Sequence, residues 1–281
     1  MQRWHAILLV SLLAFMASCR GLPFGNRSPA VDSVLTDAPL HQLRFDCDFR
    51  LPENFAPVEE LQKERDVIYS TLSLPPSEEP IYVHLFRNEE SYQEHLQRKF
   101  PMVPNRRAFF VEVDGMLHVY AQLSDRWPED LRHEVGHGYL HASVPAIPLW
   151  IDEGLAEYFE VPTSFSGFNR PHVSLLADLI EHNGWKPNLK ALEALQSAGE
   201  MRQQHYAEAW AWAYFFLNTT PERRELLTEY LLELRDKGKA APISERIATQ
   251  QIDAEAALAD FVLTIQADET ERHVSLRKTS P

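Results

Sequence analysis

Residues 133–137 read HEVGH, and residues 148–160 read PLWIDEGLAEYFE. Helical positions four apart share a face, so His133 and His137 can each direct a ring nitrogen to one metal ion. Glu134 lies about 100° around such a helix from His133, where a base acting on water at that metal is needed. The first stretch therefore predicts part of a metal site on a helix.

Two histidines leave a catalytic zinc ion one protein ligand short, because such sites use three protein ligands and keep a fourth position for water. Glu153 is the predicted third ligand. Glu157, one helical turn later, is predicted to accept a hydrogen bond from a ligand histidine and so fix its tautomer. The neighbouring residues are mostly apolar, which argues against a solvated acidic face. Gly154 predicts that another backbone comes close, since glycine costs about 1 kcal/mol inside a helix.

His141 is the alternative third ligand, because it follows His137 by one more helical turn. Three ligands in line along one helix surround a tetrahedral ion poorly, and Ser143 stands where the extended H-E-x-x-H-x-x-G-x-x-H motif has its third histidine. We therefore expect His141 to be a packing or helix-surface residue. Gly136 and Gly138 flank His137 and predict a helix weakened by roughly 2 kcal/mol in total.

Together the two stretches resemble those of the gluzincin metallopeptidases, in particular the peptidase-MA-like family and, more distantly, the aminopeptidase branch with its W-x-x-E-G signature. The resemblance covers residues 45–265 in element order, and only the two motifs are specific. The G-x-M-E-N stretch that holds a free amine in the aminopeptidases is absent, so that specificity is not implied. The resemblance implies a zinc peptidase with Zn²⁺ ligands His133, His137 and Glu153, with Glu134 as general base toward a zinc-bound water, and with Glu157 beside the ligands.

A later stretch, residues 203–217 (QQHYAEAWAWAYFFL), holds two candidates for the donor that gluzincins use to stabilise the tetrahedral intermediate. Tyr206 begins a series of large residues at helical spacing, which resembles the tyrosine-bearing helix of the family. His205 is the alternative donor. Packing in the core is the non-catalytic interpretation of Tyr206.

The sequence ahead of these motifs predicts a helix over 57–72, a strand over 81–86 and a helix over 89–99. A hairpin is predicted over 108–120, because Asp114-Gly115 supplies the positive φ angles of a tight turn. These elements place strands in the first half of the chain.

Helical periodicity follows from residue 130 to about residue 265, and strands first with helices after them indicate an α+β fold. The resemblance specifies this fold as zincin-like, with a small N-terminal sheet, a hairpin edge strand, a helix carrying the HExxH motif and a helical C-terminal part. One hairpin strand, 108–113 or 116–120, is expected to pair with an extended substrate.

The first residues predict export. Arg3 precedes an apolar run over 6–17 that is too short to span a bilayer, which is typical of a signal peptide over 1–18. Ala17-Ser18 before Cys19 resembles the lipobox of bacterial lipoproteins, which implies a lipid on Cys19 and anchoring to the cell envelope. The alternative is ordinary cleavage and release as a secreted or periplasmic protein.

The remaining boundaries follow from composition. Residues 19–44 predict a tether rich in Gly, Pro and Ser, and residues 45–265 one domain, with a strand-containing lobe to about residue 129 and a helical part from 130. Residues 266–281 are a predicted tail.

Charge and cysteine usage narrow the function. The net charge of −14, with no clustered Lys or Arg, excludes a nucleic-acid partner. The expected partners are a peptide or protein substrate and, through lipid on Cys19, a membrane. The alternative function is a lipid-anchored, non-catalytic zinc-binding or scaffolding protein on the same fold. A purely structural zinc site fits poorly, because Cys19 and Cys47 lie far from the motif.

Overall fold

The computed structural model describes residues 42–51, 55–101, 106–249 and 253–279. Four strands and ten α-helices lie within these ranges, and the predicted α+β class is confirmed. The strands are β1 (Leu43–Cys47), β2 (Ile81–Phe86), β3 (Ala108–Val113) and β4 (Met116–Gln122). The helices are α1 (Ala56–Leu72), α2 (Glu89–Lys99), α3 (Trp127–Ser143), α4 (Leu149–Phe159), α5 (Arg170–Asn183), α6 (Leu189–Glu193), α7 (Gln203–Asn218), α8 (Pro221–Lys237), α9 (Ile243–Ala248) and α10 (Ala254–Thr279).

The four strands form one mixed sheet in the order β1-β2-β4-β3. Strand β2 pairs in parallel with β1 and β4, and β3 pairs antiparallel with β4. The turn between β3 and β4 uses φ angles of 53° at Asp114 and 74° at Gly115, which confirms the predicted hairpin. Because β4 is paired on both sides, β3 is the hairpin strand at the sheet edge.

Strand β1 and helix α10 extend the regular structure past the predicted domain limits. Strand β1 begins at Leu43 and was not predicted, because its alternating pattern covers only five residues. Its Cys47 is buried and forms no disulfide within the described ranges. Helix α10 continues to Thr279, through most of the predicted tail. The signal peptide, Cys19 and nearly all of the tether lie outside the described residues.

The two faces of the sheet are covered differently. One face carries Val83, Phe110 and Val119 and packs in the main core, where α3 lies across β2, β3 and β4. The opposite face carries Phe109 and Tyr120, which pack in a second cluster under α2. Helix α3 is therefore held from below by the sheet and from the side by α1.

The two glycines of the HEVGHG stretch face these supports. A Cβ atom at Gly138 would lie 2.9 Å from the Ile81 side chain of β2, and one at Gly136 would lie 3.3 Å from Glu64 of α1. The two glycines, which cost helix stability by themselves, thus have a structural reason: the absence of a Cβ atom lets α3 pack closely on β2 and α1.

Helix α4 lies between α3 and the strongly apolar helix α7. A Cβ atom at Gly154 would lie 2.4 Å from the carbonyl oxygen of Ala209, which confirms the predicted close approach of another backbone. Only a residue without a side chain lets α4 approach α7 at this point. Among the residues described, no helix combines the length and the apolar composition needed to cross a bilayer.

Candidate metal centre

Helices α3 and α4 bring the three predicted metal ligands together. The Nε2 atoms of His133 and His137 lie 3.2 Å apart, and a carboxylate oxygen of Glu153 lies 3.6 and 3.7 Å from them. All three side chains are buried. The sequence motifs thus correspond to one compact group, which can bind a metal ion.

The donor atoms of this group fit a cation. Glu153 is fully buried, and neither of its carboxylate oxygens has a hydrogen-bond partner among the described residues. A buried carboxylate in that condition is strongly disfavoured unless a cation neutralises it. Two imidazole nitrogens and one carboxylate oxygen are the donor set that zinc accepts in catalytic sites.

Each histidine of this group is oriented by an acid at its other ring nitrogen. His133 Nδ1 lies 3.1 Å from Glu160, and His137 Nδ1 lies 3.0 Å from Asp152. Burial alone would lower the pKa of both histidines, but Glu153 and Glu160 raise the pKa of His133, and Asp152 raises that of His137. Hydrogen bonds of this kind leave each Nε2 facing the group of ligands.

The predicted role of Glu157 therefore falls to other residues. A carboxylate oxygen of Glu157 lies 2.7 Å from His172 Nε2 of α5, and Asn169 bridges Glu157 and Glu160. Glu160 reaches His133 because it lies two turns beyond Glu153, at the end of α4. A second trio close enough for a metal, His133 with Glu157 and Glu160, overlaps the first, and the His133–Glu160 hydrogen bond accounts for its closeness.

Asp152 also binds His141, the alternative third ligand, and this contact explains why His141 is buried. Its second carboxylate oxygen lies 3.0 Å from His141 Nε2, and the His141 ring packs on Phe110 of β3 with 4.8 Å between ring centroids. His141 is thus a buried packing residue outside the group of ligands. Burial would raise the pKa of Asp152, but His137 and His141 outweigh it and lower that pKa.

The remaining predicted residues are Glu134, Tyr206 and His205. Glu134 is buried, and burial raises its pKa against the opposing effect of His133 and His137. Tyr206 of α7 is also buried, and burial, with Glu153 next in effect, raises its pKa. The alternative donor, His205, accepts a hydrogen bond from the Arg202 amide at 3.1 Å and so caps the start of α7.

Sequence reasoning missed Asp152, Glu160, Asn169 and His172. The first two had a local signal, because both lie in the quoted stretch 148–160: Asp152 directly precedes Glu153, and Glu160 follows it by two helical turns. Asn169 and His172 had no such signal, because they lie outside both motifs at the start of α5, and only the tertiary structure brings that helix to the site.

The comparisons with known proteins add no relative to this description. No protein-family model matches the chain, and no curated protein matches it.

Proposed function

We propose that this chain is a zinc-dependent peptidase with a zincin-like, gluzincin arrangement. One observation carries the proposal: the buried carboxylate of Glu153, which has no hydrogen-bond partner among the described residues, lies 3.6 and 3.7 Å from two histidine nitrogens that are 3.2 Å apart. Glu134 lies one residue from the first ligand, where a general base is required. A non-catalytic metal site has no need of this base.

The side chains would divide the chemistry as follows. Bound zinc would supply Lewis acidity toward water and a substrate carbonyl. Glu134 would accept a proton from the attacking water and pass it to the leaving amine. Tyr206 would donate a hydrogen bond to the negative charge that develops on the carbonyl oxygen. Strand β3, at the sheet edge, offers backbone groups to an extended peptide.

The test combines metal analysis with cleavage. We expect the purified protein to hold one zinc ion per chain and to cleave a peptide library, with cleavage lost after chelation and restored by zinc. Glu134→Gln should keep the zinc and lose cleavage, because the ligands are untouched. The matched control is Glu229→Gln on the exposed side of α8.

Two results would contradict the proposal. A zinc-loaded protein without any cleavage would favour the non-catalytic binding or scaffolding function. Loss of zinc in Glu134→Gln would show that the assigned roles are wrong.

We also propose that the protein is exported and anchored through lipid on Cys19. The apolar run that ends at Ala17 and the small residues before Cys19 support this location. Mass spectrometry of the mature N-terminus tests it, and an unmodified Cys19 would indicate release instead of anchoring.

A further inference from the structure

Two acids at the end of α4 lie within reach of the same ring. One oxygen each of Glu157 and Glu160 and one ring nitrogen of His133 lie within 4.8 Å of one another, and all three side chains are buried. Glu160 Oε2 is bonded to His133 Nδ1 at 3.1 Å, whereas Glu157 Oε2 is bonded to His172 Nε2 at 2.7 Å. Two carboxylates this close repel each other when both are ionised. Donors from outside α4 are therefore needed to hold both acids in this arrangement.

Asn169, directly before α5, is in contact with both acids. Its Nδ2 atom donates a hydrogen bond to Glu160 Oε1 at 3.1 Å and lies 3.4 Å from Glu157 Oε2. Both partners are acceptors, which orients the amide with its NH₂ group toward α4. Asn169 is only 2% exposed, so these contacts are shielded from solvent. The Glu160 carboxylate is thus held at both oxygens, by Asn169 on one side and by His133 on the other.

The backbone that carries Asn169 is anchored on both sides of this residue. Two residues earlier, the Gly167 carbonyl accepts a hydrogen bond from Trp210 Nε1 of α7 at 2.9 Å. A Cβ atom at Gly167 would overlap the ring of Tyr158, so the chain rests directly on α4 at this point. Three residues after Asn169, the side chain of His172 is bonded to α4 as well. The Asn169 amide therefore faces α4 from a fixed position.

We propose that Asn169 is a positioning residue of the metal centre, which holds the Glu160 carboxylate against His133 and thereby sets the affinity for zinc. The contacts run from Asn169 to Glu160, and from there through the imidazole to Nε2, the atom that faces His137. A carboxylate at Nδ1 fixes the tautomer of a ligand histidine and raises its basicity, which requires that the carboxylate stays in place. The inference rests on the zinc site of the proposed function and is independent of peptide cleavage.

Packing at the start of α5 is the competing explanation for the buried Asn169. The residue directly precedes that helix, but its side chain makes no capping hydrogen bond to it. If packing were its only role, the effect of a substitution on zinc affinity would not depend on which acid lies beside the histidines. If Asn169 acts through Glu160, the effect requires the Glu160 carboxylate and disappears with it.

A double-mutant cycle in zinc affinity separates the two roles. Asn169→Ala is combined with Glu160→Gln, which changes the acid at His133, and with Asp152→Asn, which changes the acid at the other histidine. Competition with a fluorescent chelator measures zinc affinity, and urea unfolding measures stability. Asn169→Ser replaces Asn169→Ala if the latter does not fold, since Ser is favoured directly before a helix and its hydroxyl is one bond shorter than the Asn amide.

We expect Asn169→Ala to lower zinc affinity by about threefold to tenfold in the wild-type and Asp152→Asn proteins, and by less than about twofold in Glu160→Gln. Equal losses in all three proteins, or no loss in any of them, overturn the inference whether or not peptides are cleaved. Zinc binding with the expected dependence on Glu160 but without cleavage overturns the peptidase function alone. A wild-type protein that binds no zinc overturns both.

Discussion

The Nδ1 atom of His133 lies 3.1 Å from Glu160, seven residues beyond the proposed ligand Glu153, whereas Glu157, four residues beyond Glu153, is bound to His172. Replacing Glu160 by Gln removes the charge beside the Nδ1 atom of His133, the first proposed ligand. We expect the zinc affinity of Glu160→Gln to fall by about 10-fold to 100-fold, and that of Glu157→Gln to change less. Competition with a fluorescent chelator measures both. If Glu157→Gln lowered the zinc affinity more than Glu160→Gln, Glu157 would be the residue that orients His133.

We expect different effects on kcat from substitutions of Tyr206 and His205. Tyr206→Phe should lower kcat by about 100-fold or more without changing zinc affinity, because the proposed donor to the developing oxyanion is lost while the proposed ligands stay unchanged. His205→Ala should leave kcat unchanged and cost about 1 kcal/mol of stability, because its ring caps α7. Steady-state kinetics with urea unfolding tests the pair. Full turnover in Tyr206→Phe would make Tyr206 a packing residue only.

Gly154 is the position where a methyl group is least tolerated on α4. Its added carbon would meet the Ala209 carbonyl oxygen at 2.4 Å, and helix backbone cannot move aside cheaply. We expect Gly154→Ala to lower the free energy of unfolding by about 3 kcal/mol and to weaken zinc binding through Glu153. Gly199→Ala is the control, since its nearest neighbour atom would be 3.9 Å away. Similar unfolding of both variants would contradict the close approach.

Glu208 predicts a pH-dependent stability away from the metal site. Burial raises its pKa from 4.5 to about 7, although the Asn188 amide donates a hydrogen bond to its carboxylate. The folded protein therefore holds this proton more tightly than the unfolded chain, and the contribution of Glu208 to stability is lost as the pH rises from about 4.5 to about 7.

Glu208→Gln removes that dependence. Relative to the parent protein, the variant should gain about 2 to 3 kcal/mol of stability between pH 4.5 and pH 8. Urea unfolding at the two pH values measures the gain. If the two proteins differed in free energy of unfolding by the same amount at pH 4.5 and pH 8, Glu208 would not titrate in this range.

The sequence predicted those parts of the fold and site whose cause is local. The hairpin follows from Asp114-Gly115, and the ligand group follows from two helical spacings, one in 133–137 and one beginning at Glu153. Strand β1 escaped prediction because five residues acquire strand character only by pairing with β2. The acids that orient the two histidines were not predicted for a related reason. Glu157 and Glu160 are both glutamates one and two turns beyond Glu153, and only the fold, which places His172 of α5 beside Glu157, shows that Glu160 is the one bonded to His133.

The glycines at 136 and 138 give α3 two unlike sides. One side bears His133, Glu134 and His137. The other side, which lacks Cβ atoms at the two glycines, packs directly on Ile81 and beside Glu64. An added carbon at Gly138 would meet the Ile81 side chain at 2.9 Å, so relief of that contact would move the helix away from the sheet and change the positions of both histidines relative to Glu153. Loss of function can therefore arise in this protein from residues that touch neither metal nor substrate, through displacement of the helix as a rigid unit.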